Sequence, residues 1–351
     1  MKSTLKRIKT LTLKDKFSLF AYYFLLFALC FLVGLDCEKS LRKPIEWPRS
    51  LSVGELVPEA TRIIEQGLAD QNPYVRGNAI EVVGTTKRVT LMPQVQRLLG
   101  KDFASPVRFD AALAVADAEY MLAERALRSL LTDPDENLKI AAAYALSKLG
   151  AMDSADSFDL LCSAIAGDDQ IVRANAAFLL GKSGNKEALK LLLITMRRRD
   201  SSDKVRFQAV ESIAALGHER IFPKLWAMVM STYADDRITG IKAMGALGTA
   251  QAKNVLITKL DDDVLVVRLA AAEQLGILGD NTGEPEVLDV FAKNLTAGLG
   301  PDGTEHVNML TALAIGQIRT DRLIRFLPRL LRDQSPFVRI AAAKAVFQCA
   351  I

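Results

Sequence analysis

Arginine and aspartate recur at a fixed offset in this chain, and ion pairing or carboxylate chemistry is what such a pairing supplies. A basic residue stands at Arg76, Arg108, Lys139, Arg173, Arg206, Arg237, Arg268 and Arg339, with Asn308 as the exception in the row. An aspartate precedes the same position by six residues at Asp70, Asp102, Asp133, Asp200, Asp262, Asp302 and Asp333. Rows of charge invite an active-site reading, yet a structural cause suffices. An Asp beside a helix start accepts backbone N–H bonds and suits the positive end of the helix dipole. The remaining chemistry-bearing residues are sparse: Cys30, Cys37, Cys162 and Cys349, with His218 and His306. They form no CxxC pair and no Cys/His cluster, which excludes a disulfide framework and a zinc site. Neither a phosphate-cradling glycine loop nor a catalytic constellation is present, so the expectation is no cofactor, no metal, no catalytic residue and no enzyme.

The elements that carry the charged rows are repeats. "VRANAAFLLGKSG" at 172 and "VRFQAVESIAALG" at 205 match from Val-Arg to the closing Gly, and seven further stretches share the register. The spacings between basic positions are 32, 31, 34, 33, 31, 31, 40 and 31 residues. Nine units at a near-constant period are the mark of a solenoid. Each unit reads as two helices, the second opening on Val-Arg and stopping at Leu-Gly in several units. Pro58, Pro93, Pro223 and Pro328 fall in the first helices, where they start or kink them. The gap of 40 holds "GDNTGEPE" and "GLGPDGTE", which read as loop insertions. With no strand-like alternation after residue 56, the fold class is all-α.

Over residues 56–351 the Asp of the inter-helix turn, the Val-Arg opening, the Ala three positions on and the Leu-Gly close resemble short HEAT or HEAT-like repeats. The resemblance implies a right-handed α-solenoid of about nine helix pairs. It implies that each Arg reaches an Asp of a neighbouring unit, and that the second helices line the concave face. HEAT-like arrays are also similar to those of bilin lyases, and some DNA glycosylases use a related stack. The missing constellation speaks against both.

Advancing 100° per residue from the basic position puts +3, +6, +7 and +10 against the first helix. Positions +1 and +8, the latter mostly Gly, Ala or Ser, suit packing on the adjacent unit. A strip at +2, +5 and +9 stays open. There Leu113, Tyr144 and Phe178 stand in successive units, flanked by Asp110 and Asn175 at +2 and by Lys148 and Lys182 at +9. Apolar side chains with a polar rim suit a peptide or protein groove. Ordinary inter-unit core is the alternative for them. The chain stops at "VFQCAI" without a polar closing helix, so the last unit is a candidate surface for self-association.

Of 45 basic and 41 acidic residues, the tail at 1–16 holds six and one, leaving residues 36–351 with 39 and 40. A near-neutral array lacks the footprint of a nucleic-acid binder. "FSLFAYYFLLFALCFLVGL" at 17–35 is uncharged and reaches about 28 Å as a helix, a bilayer's hydrocarbon thickness. It reads as a transmembrane anchor, with a cleaved or lipidated export signal as the alternative, followed by a linker at 36–55. Basic residues upstream would leave the array outside the cytoplasm. The expected function is a membrane-anchored scaffold binding a protein or peptide. The alternatives are a bilin lyase-like protein or an exported envelope component without a specific ligand.

Overall fold

In a computed structural model, residues 52–350 are described, and all the regular structure among them is helical. Helices α1 (Val53–Leu68) and α2 (Pro73–Thr85) form the first unit, and α3 (Met92–Lys101) and α4 (Ser105–Asp117) the second. The third holds α5 (Glu124–Leu130) and α6 (Glu136–Lys148), the fourth α7 (Ser154–Ala166) and α8 (Gln170–Ser183). Then come α9 (Ala188–Arg197) with α10 (Asp203–Ala215), and α11 (Phe222–Val229) with α12 (Ala234–Leu247). The seventh and eighth units are α13 (Ala250–Thr258) with α14 (Leu265–Ile277), and α15 (Glu284–Ala292) with α16 (Pro301–Ile318). In the ninth, two short helices, α17 (Asp321–Ile324) and α18 (Leu327–Leu330), precede α19 (Pro336–Cys349).

Local chemistry sets these boundaries. Pro93, Pro223 and Pro328 sit in the first turns of α3, α11 and α18, where a missing N–H costs nothing, while Pro58 lies within α1. Asn72, Asp135, Asp169 and Ser335 cap the second helices through side-chain bonds to backbone N–H groups. The expected loop insertion at 298–305 is largely helix instead. Gly300 and Pro301 start α16 early, and Asp302 in its first turn complements the dipole.

The offset of six between Asp and Arg has a geometric cause. In several units the Arg curls back to the carbonyl six residues earlier: Arg76 to Asp70 at 2.8 Å, Arg237 to Ser231 at 3.1 Å, Arg268 to Asp262 at 2.8 Å and Arg339 to Asp333 at 2.8 Å, while Arg108 bonds the Leu99 carbonyl at 3.2 Å. The Asp meanwhile pins its own turn, accepting from the backbone N–H two residues on at Asp102, Asp133, Asp262 and Asp333. Its carboxylate then receives the Arg of the preceding unit. Arg76 makes a two-pronged bond to Asp102 at 2.7 and 2.9 Å, Arg108 meets Asp133 at 2.9 Å, and Arg237 meets Asp262 at 3.0 Å. Arg173 reaches Asp200 at 3.3 Å, and Asn308 keeps the pattern by donating to Asp333 at 3.0 Å. Where the register breaks, so does the rung. Arg206 turns to the carbonyls of Arg198 and Arg199, and Arg268 takes Glu286 because the longer eighth unit leaves Asp302 exposed. Lys139 forms no ion pair among the described residues.

Small residues at +8 bring the second helices together. A Cβ on Gly84 would lie 2.6 Å from the Ala114 Cα, one on Gly181 2.8 Å from the Ser212 Cα, and one on Gly316 2.8 Å from the Ala345 Cα. Each second helix therefore touches the next, from α2 through to α19, and α19 returns to α1 and α2. The array is a closed ring, where an open crescent with a concave face is expected from the sequence. Ile340 packs into the space above Gly67, the Arg88 guanidinium lies 4.0 Å from the centre of the Phe347 ring, and Lys344 pairs with Glu81 at 2.8 Å. The apolar flank of the last unit, expected to be uncapped and available for self-association, is covered by the first unit.

The transmembrane anchor expected at 17–35, with the tail before it, lies outside the described residues. Among the described residues no helix is long and apolar enough to cross a membrane. The longest, α16, has 18 residues and carries Asp302 and Glu305. The expected single-pass placement, with the array outside the cytoplasm, is accordingly corrected: it is without support and is not retained.

Candidate functional site

Closing the ring turns the open strip of the second helices into the wall of a narrow lumen. Its +5 row reads Glu81, Leu113, Tyr144, Phe178, Glu211, Lys242, Glu273, Leu313 and Lys344. One arc is apolar and the other charged. The lumen is tight enough for residues two units apart to touch, and Lys182 on α8 pairs with Asp117 on α4 at 2.8 Å.

The expected groove residues divide in this setting. Leu113 and Phe178 are half-buried, whereas Tyr144 is 3% exposed. The Tyr144 ring contributes to a hollow of about 260 Å³ with Phe158 and Leu161 of α7, between units rather than on the open strip. Burial pushes its phenol upward, with Asp117 adding to the effect. Lys148 lies 5.9 Å from that ring and donates to the Ser183 carbonyl at 3.4 Å. Asn175 donates to Asn137 at 2.8 Å. Asp110 sits beside Gly77 at the lumen mouth, and burial together with the Glu81 charge raises its carboxyl to about 6.

A second cavity, of about 350 Å³, opens between α8, α10 and α12. Phe178, Gly181, Ala215, Ala243 and Ala246 supply apolar wall, and Lys182, Gln208, Glu211, Ser212 and Lys242 its polar groups. Such a volume with a few convergent polar groups is the usual form of a small-molecule site. The charges here are coupled. Burial pushes Glu211 up against the pull of Lys242. Burial likewise raises Glu273, more than Lys242 and Lys344 draw it down, and Glu81 adds to the rise. Lys242 is exposed and forms no ion pair within 4 Å among the described residues. Phe178 and Lys182 of the expected groove line this cavity, while Glu211 and Lys242 are not among the expected groove residues although they stand in the same +5 row. Their signal was the change from apolar to charged residues along that row.

Among the described residues no group of three or more His, Cys, Asp or Glu could hold a metal ion. Cys162 and Cys349 are free, and burial raises both thiols, Cys349 to about 11. Neither is a thiolate at neutral pH.

Residues 158–238 match the HEAT-repeat family. A curated relative, phycocyanobilin lyase subunit alpha of Picosynechococcus sp., is 30% identical over 115 residues, 32% of this chain and 43% of the relative. The chain thus spans less than half the length of that relative. Human deoxyhypusine hydroxylase is 17% identical with a TM-score of 0.37, covering 76% of this chain and 97% of its own. The complex of CpcE and CpcF of phycocyanin lyase from Nostoc sp. is 16% identical with a TM-score of 0.30, covering 87% and 98%. Structural likeness at these scores carries no argument about activity. The expectation that the chain is not an enzyme, drawn from the missing catalytic residues, is corrected by this comparison: a curated relative is a lyase subunit. The described residues are all-helical in their regular structure, residues 158–238 match HEAT repeats, and a lyase subunit is among the relatives of the chain.

Proposed function

We propose that the ring is a lyase-type protein that takes an open-chain tetrapyrrole into the cavity between α8, α10 and α12. The observation that carries this reading is the 30% identity to a phycocyanobilin lyase subunit. The cavity supports it chemically. A linear tetrapyrrole is a flat apolar body with pyrrole-type N–H groups and two carboxylate arms. Phe178 offers a ring face, Ala215, Ala243 and Ala246 leave room, Glu211 accepts hydrogen bonds, and Lys242 offers a cation without an ion-pair partner. Attachment of the pigment then falls to a thiol of an acceptor protein, because this chain's two described cysteines are held as thiols.

Titrating the purified chain with phycocyanobilin tests this directly. The pigment's visible spectrum is expected to shift and sharpen, saturably. Lys242→Glu weakens binding about tenfold, for the loss of one charge-assisted contact, and Ala246→Trp, at an exposed position on the cavity wall, abolishes it by filling the cavity. Mixing the loaded chain with apophycocyanin subunit is expected to yield covalent adduct faster than free pigment does. An unchanged spectrum across the titration sinks the proposal.

A further inference from the structure

The outer wall of the ring differs sharply between units. On α3, α5, α7 and α13 the exposed residues are mostly polar, among them Arg97 and Lys101, Arg125 and Arg128, Asp156 and Asp159, Gln251 and Asn254, although Leu160 on α7 is 41% exposed and Met121 and Leu122 just before α5 are 51% and 75% exposed. The fifth and sixth units depart from this. Ile194 on α9 is 50% exposed, Trp226 on α11 is 45% exposed and Met230 just after it 46%. Phe222 lies beside Trp226 with ring centres 6.3 Å apart. The helices that carry them, "ALKLLLITMR" and "FPKLWAMV", contain Lys190, Arg197 and Lys224 and not one acidic residue. Lys190, Arg197 and Lys224 form no ion pair within 4 Å among the described residues. An open hollow on α9 is lined by Lys190, Leu193, Ile194, Arg197 and Arg198. Large apolar side chains left in water beside unneutralised cations mark an interaction surface rather than a solvated wall.

We infer that the outer faces of α9 and α11 dock an acidic amphipathic helical segment of a partner protein. Charge complementarity selects the occupant: its apolar stripe covers Ile194, Trp226 and Met230, and its carboxylates meet Lys190, Arg197 and Lys224. A helix of three or so turns matches α9, whose ten residues extend about 15 Å. The outer wall of a ring is convex, which brings one or two helices against a flat bilayer but lets a partner helix lie along them. The inference stands apart from the tetrapyrrole reading, since this surface shares no residue with the lumen cavity.

The probe is a fluorescein-labelled 18-residue helical peptide with Leu along one face and Glu along the other. A matched peptide with Lys in place of Glu, and vesicles containing phosphatidylserine, serve as the alternatives. With the full chain, the Glu peptide is expected to give saturable anisotropy that weakens as salt rises. In a Trp47→Phe background, the emission of Trp226, the other tryptophan, shifts to shorter wavelength on binding. Lys190→Glu with Arg197→Glu weakens the affinity at least about tenfold, and Ile194→Ser with Met230→Ser does the same. All four positions are exposed, so circular dichroism and melting of these variants are expected to match the parent. Equal binding of the Lys peptide, binding of the vesicles in preference to the Glu peptide, no saturable binding, or unaltered affinity in both double variants would each overturn the inference.

Discussion

Between α2 and α4, Gly84 lets two helices close until an added methyl would lie 2.6 Å from the Ala114 Cα. Where α19 returns to the first unit the same repeat position is Phe347, whose ring lies beneath the guanidinium of Arg88, just past α2. The difference extends along the whole junction. Eight units carry a small residue there: Gly84, Ala116, Ser147, Gly181, Ala214, Gly245, Gly276 and Gly316. Several of those junctions are also tied by a charged rung, as at Arg76 and Asp102. At the seam Arg339 bonds only carbonyls of its own turn, and Asp70 accepts from Asn72 instead of an arginine. The regular junctions are specified by backbone approach and a buried ion pair. The seam is specified by a bulky ring, by Ile340 fitted against Gly67, and by a half-exposed Lys344–Glu81 pair. Repetition builds the wall, and a different set of contacts closes it.

The comparison breaks most severely where a buried rung loses one partner. Arg76 and Asp102 have side chains 5% and 3% exposed, so Arg76→Ala leaves a carboxylate uncompensated in the wall. A loss of about 3–5 kcal/mol in urea unfolding is expected. Arg339→Ala removes hydrogen bonds to carbonyls alone and is expected to cost about 1–3 kcal/mol. Equal losses would mean that the rungs contribute no more than the curled-back arginine does in its own turn.

Next in size is the seam itself. Phe347→Ala deletes a fully buried ring and is expected to cost about 3–5 kcal/mol. Its signature differs from that of a regular junction. An opened solenoid unfolds less cooperatively, because each unit then feels only its neighbours. Small-angle scattering is expected to show a larger radius of gyration, and the denaturant transition to broaden. Gly84→Val serves as the counterpart, destabilising by about 3 kcal/mol through overpacking without opening the ring. A compact, sharply unfolding Phe347→Ala chain would show that the seam is not the closing element.

The wall was legible in the sequence for the reason that it repeats: nine registers vote on one helix pair, and the offset of six between Asp and Arg is visible without coordinates. Closure was not legible. It depends on the small rotation accumulated from unit to unit, which no residue encodes alone. Only Phe347 at a position otherwise Gly, Ala or Ser hinted that the last junction differs. The site was half legible. The +5 row gave the lumen wall, including Phe178, but a helical wheel cannot tell which ring points into a gap between units, and Tyr144 does so. Lys242 and Glu211 stood in the same row and gained their significance from facing one cavity.

Acid titration sharpens the contrast between lumen and rim. Asp110 is raised to about 6 from the usual 3.8, so it favours the protonated form in the folded state. Stability from such a group is complete below the unfolded value and is lost as pH rises through the folded one. Glu211 and Glu273 are raised too and act in the same sense. Asp200 and Asp280, held down to about 2 by Arg198 and Lys253, change only below pH 4, where their stabilisation is lost as pH falls. The chain is therefore expected to be more stable at pH 4–5 than at pH 7, with Asp110 contributing about 1–2 kcal/mol of that difference. Asp110→Asn is expected to flatten that slope, as read by urea midpoints at each pH. A midpoint that rises from pH 5 to 7 in the parent chain contradicts the assignment.

The smallest effect comes from the ion pair that spans the seam. Lys344 and Glu81 meet at 2.8 Å, but the Glu81 side chain is 48% exposed, so solvent screens the pair. Lys344→Met keeps the aliphatic stem in place and is expected to cost under about 1 kcal/mol at pH 7. Lys344 also faces Glu273, whose carboxyl rises further once that cation is gone. The loss is therefore expected to shrink as pH falls and Glu273 takes up a proton, and to shrink with added salt. A loss as large as that of Phe347→Ala, or one indifferent to pH, would move the closing energy of the ring from apolar burial to this pair.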